Sequence, residues 1–361
     1  MSIKISHKVT INELRRNIPL FGHIQTAIIL SEPGCGKTSL LYQIAEDLGD
    51  KYSPPVYFDA PSMDYGDIGQ RIPNRDTKEL EFMVAEELDM DDPRPKLILI
   101  DEFLKCGKMM RIIFTKLILE RMIGNRKLPD GSIVFATSNN AEDGVGDFAQ
   151  AHEGNRVTFY EMAKPSAKEW LPWAVANNIS AVTCAFVAMN ESVFESYTDE
   201  MDPRHRNPVI FHPVTNKRSF LSHRSLTKAD KAFVQNRHLM SDAFLTASLV
   251  GTIGKAGAEM LSAFIALEKQ LTPVSEVFKN AETVALPTNL SALYMMMFNA
   301  VRAIETQDEL SSFMLFIERT KSSEIEGVFF AMLANNNRTV KLAKKNAKIN
   351  AWLEDNYQLI S

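Results

Sequence analysis

The residues most able to do chemistry lie in one short segment, residues 31–39, with the sequence Ser-Glu-Pro-Gly-Cys-Gly-Lys-Thr-Ser. Its two glycines let the backbone turn so that several N–H groups point at one anion. In such a loop the lysine reaches the β- and γ-phosphates of a nucleotide, and the following hydroxyl ligates Mg²⁺. The segment therefore predicts a phosphate-binding loop, with contacts from Pro33, Gly34, Cys35, Gly36, Lys37, Thr38 and Ser39, and Thr38 as a metal ligand.

The loop departs from the usual pattern at its first position. Ser31 stands where that pattern has a glycine. Serine is small, so we expect the loop to keep its conformation. The alternative is an ordinary glycine turn between a strand and a helix. The apolar run at residues 27–30 and the helical pattern at residues 40–48 favour the phosphate loop, which needs a strand before it and a helix after it.

Two carboxylates form the second candidate cluster. Asp101 and Glu102 follow the apolar run at residues 97–100, whose lack of alternation suits a strand buried on both faces of a parallel sheet. Asp101 could hold Mg²⁺ through its water shell, and Glu102 could polarise an attacking water as a general base. An acidic pair at a strand end is a weak signal alone. Here the acidic pair is a strong signal, because it ends a second strand that follows the phosphate-binding loop in sequence.

Two further strand candidates carry polar residues at their ends. Asn139 ends the run at residues 133–139, where its amide could hydrogen-bond the attacking water or the γ-phosphate. Asn140 is the adjacent alternative, and an ordinary turn asparagine is the simpler interpretation. Arg156 opens the strand candidate at residues 156–160.

In this order the motifs resemble those of AAA+ ATPases, most closely the MoxR-like branch, which includes versions carried by bacteriophages. The resemblance covers roughly residues 10–270 and is most specific over residues 27–160. The motifs are Glu-Pro-Gly-Cys-Gly-Lys-Thr from Glu32, Leu-Ile-Asp-Glu from Leu99, Leu-Pro-Asp-Gly-Ser-Ile-Val-Phe-Ala-Thr-Ser-Asn from Leu128, Asn-Arg-Val from Asn155, and Ser-His-Arg-Ser from Ser222.

The resemblance implies a role for each matching position of the core. Lys37 and Thr38 match the Walker A pair, and Asp101 and Glu102 match the Walker B pair. Asn139 matches the first sensor. The implied activity is Mg²⁺-dependent ATP hydrolysis, with ATP and Mg²⁺ as cofactors.

Two arginines complete the implied site. Arg156 matches the arginine finger, which in this family acts on the nucleotide of the neighbouring subunit. Arg224 matches the second sensor, which a helical lid carries to the γ-phosphate of its own subunit. Arg204, Arg206 and Arg218 lie near it in sequence, so a choice among these arginines stays open.

The same resemblance implies a homo-oligomeric ring, a hexamer by expectation, that remodels or matures a protein client. A protein with a von Willebrand A domain is one such client. Tyr65, beside a short motif at residues 67–69, could grip substrate at the ring pore, or could simply be packed. Two alternatives stay open: a nucleic-acid motor or loader, and a nucleotide-bound scaffold that hydrolyses poorly.

The composition limits which of these functions and sites the sequence supports. The chain has 361 residues and a net charge of −5, which gives no electrostatic footprint for nucleic acid. Its cysteines, Cys35, Cys106 and Cys184, lack metal-ligand spacing, and His205 and His212 have no partner cluster for zinc. We expect a cytoplasmic protein of a bacterial or infected host cell, without a signal peptide or a membrane-spanning run.

These residues must be positioned by an α/β fold. We predict a P-loop NTPase parallel-sheet core at residues 1–163, an all-helical lid at residues 164–274 and a helical C-terminal extension at residues 275–361. Thr10 and Glu13 predict a capping box for a helix at residues 10–17. Residues 61–69 predict no regular element. Helices are predicted at residues 77–88, 109–123, 167–176, 181–194, 221–236, 290–306 and 309–320.

Overall fold

The computed structural model describes residues 7–139, 156–199, 206–213, 218–336 and 338–356. The chain divides into two compact units, Met1–Lys164 and Pro165–Ser361. The first unit holds the phosphate loop and a parallel sheet, and the second consists of helices. The further boundary near residue 274, between a lid and a C-terminal extension, stays a prediction.

Strands of the first unit form one large sheet and two small hairpins. Within the described residues they are β1 (Lys8–Val9), β2 (Thr26–Ser31), β3 (Val56–Asp59), β4 (Gly69–Asn74), β5 (Glu79–Val84), β6 (Leu97–Asp101), β7 (Met122–Ile123), β8 (Arg126–Lys127), β9 (Ile133–Asn139) and β10 (Val157–Met162). The large sheet has the order β1-β10-β2-β9-β6-β3, and every pairing in it is parallel.

Helices cover both faces of this sheet. Within the described part of this unit they are α1 (Ile11–Phe21), α2 (Lys37–Leu48), α3 (Tyr65–Ile68) and α4 (Lys108–Glu120). Leu14 of α1 and Leu40 of α2 are buried with one set of strand residues, and Phe114 of α4 is buried with the other. The central strands are therefore enclosed on both sides, which explains their continuous apolar runs and confirms the predicted fold class.

Local sequence signals fix the start of α1. The Thr10 hydroxyl accepts a hydrogen bond from Glu13 N (3.1 Å), and Thr10 N donates to Glu13 Oε2 (2.7 Å). This is the predicted capping box. Further along α1, Arg15 donates two hydrogen bonds to Asp47 of α2.

The predicted helix at residues 77–88 is wrong. Residues 79–84 form β5, which pairs antiparallel with β4. The Phe82 ring lies so close to Gly69 and Gly124 that a Cβ on Gly124 would approach its Cδ1 to 2.3 Å. Leu80, Phe82 and Val84 also alternate with period two, so the local pattern fits a strand as well as a helix. The contacts of Phe82 with Gly69 and Gly124, distant in sequence, favour the strand.

Two other local predictions need correction. Residues 61–69 contain the short helix α3, because Asp64 and Asp67 form a capping box around it. The helix predicted at residues 109–123 ends at Glu120, where Arg121 adopts a left-handed conformation (φ 56°). The chain then enters the small hairpin of β7 and β8.

The second unit is built around one apolar core. Its helices are α5 (Ala167–Ala176), α6 (Ala181–Met189), α7 (His223–Ala229), α8 (Asp242–Glu268), α9 (Val274–Lys279), α10 (Leu290–Ala303), α11 (Gln307–Glu318), α12 (Ser323–Ala334), α13 (Val340–Ala343) and α14 (Ala347–Asp355). A π-helical turn, Asp230–Val234, follows α7, so the predicted helix at residues 221–236 is not a single α-helix. Met295, Met296 and Met297 are buried in this core.

Helix α8 is long and apolar enough to cross a membrane, judged by length and composition alone. Its backbone is interrupted at Gly254 (φ 78°, ψ 162°), where a Cβ would lie 2.8 Å from Ser219 O. Leu249, Ile253 and Leu261 on this helix are fully buried in the core of the second unit.

Candidate functional site

The phosphate loop joins β2 to α2 at the carboxyl edge of the sheet. Gly34 (φ 80°) and Gly36 (φ 92°) both occupy the left-handed region, which suits glycine. Gly36 is the residue before α2, so the N–H groups of the first turn of that helix lie beside the loop. The loop thus has the two backbone features that bind an anion, a glycine-permitted turn and a helix N-terminus.

Lys37 is buried at the start of α2 and donates hydrogen bonds to oxygen atoms of the loop and of two strands. Its Nζ donates to Asn139 Oδ1 (2.8 Å), to Glu32 O (3.3 Å) and to Ser31 O (3.4 Å). Ser31 and Asn139 are register partners in the adjacent strands β2 and β9. The sheet therefore brings the predicted phosphate-binding lysine and the predicted sensor asparagine into direct contact.

Asp101, at the end of β6, accepts several of the hydrogen bonds of the candidate site. Thr38 Oγ1 and Tyr57 OH each donate to its Oδ2 at 3.1 Å, and Glu102 N donates to its Oδ1 at 3.2 Å. Thr137 Oγ1 also donates to Oδ1. The carboxylate is mostly buried and fixed in orientation, with both predicted metal ligands, Thr38 and Asp101, in contact with each other.

Glu102 follows Asp101 in a strained backbone conformation. Its φ of 53° and ψ of 34° lie in the left-handed region, which is uncommon for a residue with a side chain. Glu102 Oε2 lies 3.3 Å from Lys105 Nζ, and its side chain is partly exposed. The carboxylate thus lies beside a cation at the edge where the loop lies.

These residues fit a magnesium–nucleotide pair. The donor set of Thr38 and Asp101 consists of the hard oxygen ligands that Mg²⁺ takes, one or two from protein and the rest from water and phosphate. Among the described residues, no group of three or more His, Cys, Asp or Glu could hold a metal. An ion bound by Thr38 and Asp101 would take further oxygen ligands from water and phosphate, as Mg²⁺ does in phosphate loops.

Arg156 lies away from this cluster. It is exposed and directly precedes β10, whose first residue Val157 is the register partner of Thr26 at the start of β2. The phosphate loop leaves the other end of β2, after Ser31. The two ends, Thr26 and Ser31, are five residue steps apart, about 16 Å at the rise of a β-strand. The fold therefore places Arg156 at the amino edge of the sheet, opposite the loop of its own chain.

The remaining predicted residues belong to the second unit or lie outside the described residues. Arg224 is exposed in the first turn of α7, between Ser222 and Ser225, which form the capping box of that helix. Arg206 and Arg218 are described, whereas Asn140, Arg204 and His205 lie outside the described residues. Tyr65 is exposed at the start of α3.

Sequence reasoning missed two hydroxyls and one ion pair. Tyr57 and Thr137 come from the strands on either side of β6, and both bind Asp101. Thr137 stands two positions before Asn139, on the same face of its strand, which was the available signal. The Glu32 carboxylate lies 3.5 Å from Lys164 Nζ, and both side chains are almost fully buried.

The all-parallel sheet, the glycine loop, Lys37 and the Thr38–Asp101 contact define the first unit as a P-loop nucleoside-triphosphatase core. No protein-family model matches the sequence, and no curated protein matches it at a significant level.

Several solved structures resemble the chain weakly. A RuvB variant from Thermotoga maritima has 13% identity and a TM-score of 0.36, with 86% of each chain covered. NtrX from Brucella abortus has 13% identity and a TM-score of 0.33, covering 72% of this chain and 69% of its own. A putative ATPase from Cytophaga hutchinsonii has 12% identity and a TM-score of 0.30, and the match covers 95% of this chain and 88% of the ATPase.

Proposed function

We propose that the protein is an AAA+ ATPase that binds Mg²⁺–ATP in the loop of residues 31–39 and hydrolyses it. One observation carries the proposal. Residues of β3, β9 and α2, distant from one another in sequence, form hydrogen bonds with Lys37 or Asp101 at a single edge of the sheet. A glycine turn with a purely structural role would not require a lysine, a threonine, an aspartate and an asparagine in contact there.

Each residue has a definite task in this proposal. Lys37 holds the β- and γ-phosphates, and Gly34 and Gly36 let backbone N–H groups face them. Thr38 and Asp101 hold Mg²⁺, which when bound neutralises charge on the phosphates. Tyr57 and Thr137 keep the Asp101 carboxylate in place. Glu102 accepts a proton from the attacking water, and Asn139 orients that water or the γ-phosphate.

We further propose a head-to-tail ring, a hexamer by expectation, in which Arg156 serves the site of the neighbouring subunit. The support is its position: the arginine is exposed at the sheet edge opposite its own loop. In a heterologous ring, opposite faces of neighbouring subunits meet, so such a residue can reach a site that it cannot reach in its own chain. Arg224 is proposed as the second sensor.

The ring is proposed to act in the cytoplasm on a protein client, as a MoxR-like chaperone of bacterial or bacteriophage origin, with a von Willebrand A domain protein as one candidate client. The acidic net charge supports a protein client over a nucleic acid. Stimulation of the ATPase by DNA, but not by candidate proteins, would favour the nucleic-acid alternative.

The test is a titration of the purified chain with a fluorescent ATP analogue, with and without Mg²⁺, together with phosphate release. Lys37→Ala should lose most of its ATP affinity and its turnover, because the triphosphate loses its main cation. Lys127→Ala, which alters an exposed lysine on β8, is the matched control and should behave as wild type. Unchanged ATP binding by Lys37→Ala, or none by the wild type, would contradict the proposal.

A further inference from the structure

The buried ion pair between Glu32 and Lys164 has no part in the chemistry described above. Lys164 Nζ lies 3.5 Å from Glu32 Oε2, and the two side chains are 3% and 4% exposed. Burial removes both charges from water, and their attraction seldom repays that cost in full. Stability alone is therefore a poor reason for the pair.

The positions of the two residues connect the pair to the loop. Glu32 is the first loop residue after β2, and its own carbonyl accepts a hydrogen bond from Lys37 Nζ (3.3 Å). Lys164 follows β10, which lies beside β2, with Glu161 opposite Leu30. Ala163 N donates to Val9 O, which continues the sheet pairing up to the residue before Lys164. The cation is thus anchored to the sheet, and the carboxylate belongs to the loop.

We propose that Lys164 is a positioning residue of the nucleotide site and acts through Glu32. The ion pair fixes the side chain of Glu32, and so fixes the backbone carbonyl that faces the Lys37 ammonium. Lys164 is also the last residue of the first unit, so the pair ties the phosphate loop to the strand end that leads out of that unit. This inference rests on the proposed ATP site.

A positioning role and a purely electrostatic role of Lys164 predict opposite changes in the ATP affinity of Glu32→Gln. If Lys164 contributes only a positive electrostatic potential at the nucleotide site, Glu32→Gln should tighten ATP binding, because it removes a negative charge near the triphosphate. If the pair positions the loop, Glu32→Gln and Lys164→Met should both weaken ATP binding, by about tenfold, the scale at which residues that orient a binding group act. The double variant should recover part of that loss, since neither buried charge is then left alone.

The experiment compares these variants of the full chain by titration with a fluorescent ATP analogue and by the KM and kcat for ATP. The effect should fall on KM, with kcat nearly unchanged. Lys8→Met is the matched control, because it removes another lysine paired with a glutamate of the same sheet, Glu161, at 4.0 Å across β1 and β10. Its ATP affinity should equal that of the wild type.

The outcomes separate the two proposals. Absence of ATP binding by the wild type would overturn both the ATP site and this inference. Normal binding by the wild type, with Glu32→Gln unchanged or tighter, would overturn the inference alone. Should Lys164→Met fail to fold, Glu32→Asp keeps the charge but withdraws the carboxylate by one methylene. A severalfold weaker affinity supports the positioning role, and an unchanged affinity contradicts it.

Discussion

Lys37 Nζ donates a 2.8 Å hydrogen bond to Asn139 Oδ1, across 102 positions of sequence. The contact forms because Ser31 and Asn139 are register partners at the ends of adjacent parallel strands. A shift of one residue in that register would turn the asparagine to the other face of the sheet. The pairing of β2 with β9 therefore determines whether the proposed sensor can share the γ-phosphate with the proposed phosphate-binding lysine.

Glu102→Gln should retain ATP binding and slow hydrolysis by about a hundredfold or more, the contribution of a general base. The amide preserves the size of the side chain but cannot accept a proton from water. Single-turnover phosphate release and ATP titration measure the two effects separately. Lys105→Gln is the control for loss of the neighbouring ion pair and should keep most of the activity. Turnover of Glu102→Gln near the wild-type rate would assign the base to another residue.

Arg156→Ala should bind ATP almost normally and lose about a thousandfold in turnover, the scale of arginine fingers. Because Arg156 lies opposite its own loop, mixing this variant with Lys37→Ala should restore some activity. An intact loop of one subunit then faces an intact arginine of its neighbour. Specific activity should also rise with protein concentration as rings assemble.

Arg126→Ala is the matched control for this experiment, because Arg126 is another exposed arginine of the first unit, paired with an exposed aspartate. It should leave turnover unchanged. Mixtures that co-assemble but show no recovery would rule out a role for Arg156 across a subunit boundary.

Thr137→Val should destabilise the protein and raise the Mg²⁺ concentration needed for half-maximal hydrolysis. Valine keeps the shape of threonine and suits a strand, but Asp101 loses a buried hydrogen bond to its carboxylate. Hydrogen bonds to charged groups contribute about 1.5–3 kcal/mol, which sets the expected loss in free energy of unfolding. Thr137→Ser keeps the hydroxyl and should restore both properties. An unchanged Mg²⁺ dependence in Thr137→Val would show that Asp101 does not need this donor.

Asp47→Asn should reveal a pH-dependent link between α1 and α2. Hydrogen bonds from Arg15 hold the pKa of Asp47 below its ordinary value. A lowered pKa in the folded state stabilises the protein above the ordinary aspartate pKa, and that contribution is lost as the pH falls through the folded pKa. Because the pair is partly exposed, the variant should lose only about 0.5–1 kcal/mol at pH 7.

Urea unfolding of the wild type and of Asp47→Asn, at pH 7 and at about pH 3, measures the difference between their free energies of unfolding. This difference should be smaller at the lower pH. Asp130→Asn is the control, since Asp130 is largely exposed beside Lys127. A difference that stays constant between the two pH values would mean that the charge of Asp47 is not the source of the stabilisation.

The sequence by itself determined the features that depend on neighbouring residues. The loop of residues 31–39 needs only its glycines and its own lysine and threonine. The capping box of Thr10 and Glu13 is formed across three residues. The buried strands β2, β6 and β9 were predictable because burial on both faces requires apolar residues at consecutive positions. Strand ends then placed Asp101 and Asn139 at the carboxyl edge, so most of the candidate site followed.

Only the tertiary structure decided which distant groups meet. Residues 77–88 suit a helix or a strand, and the antiparallel pairing with β4 and the packing of Phe82 against Gly124 made residues 79–84 a strand. The local sequence around Tyr57 and Lys164 does not indicate their partners, Asp101 and Glu32. Each contact depends on strand order and register, which are set by the folding of the whole sheet and by no segment of it alone.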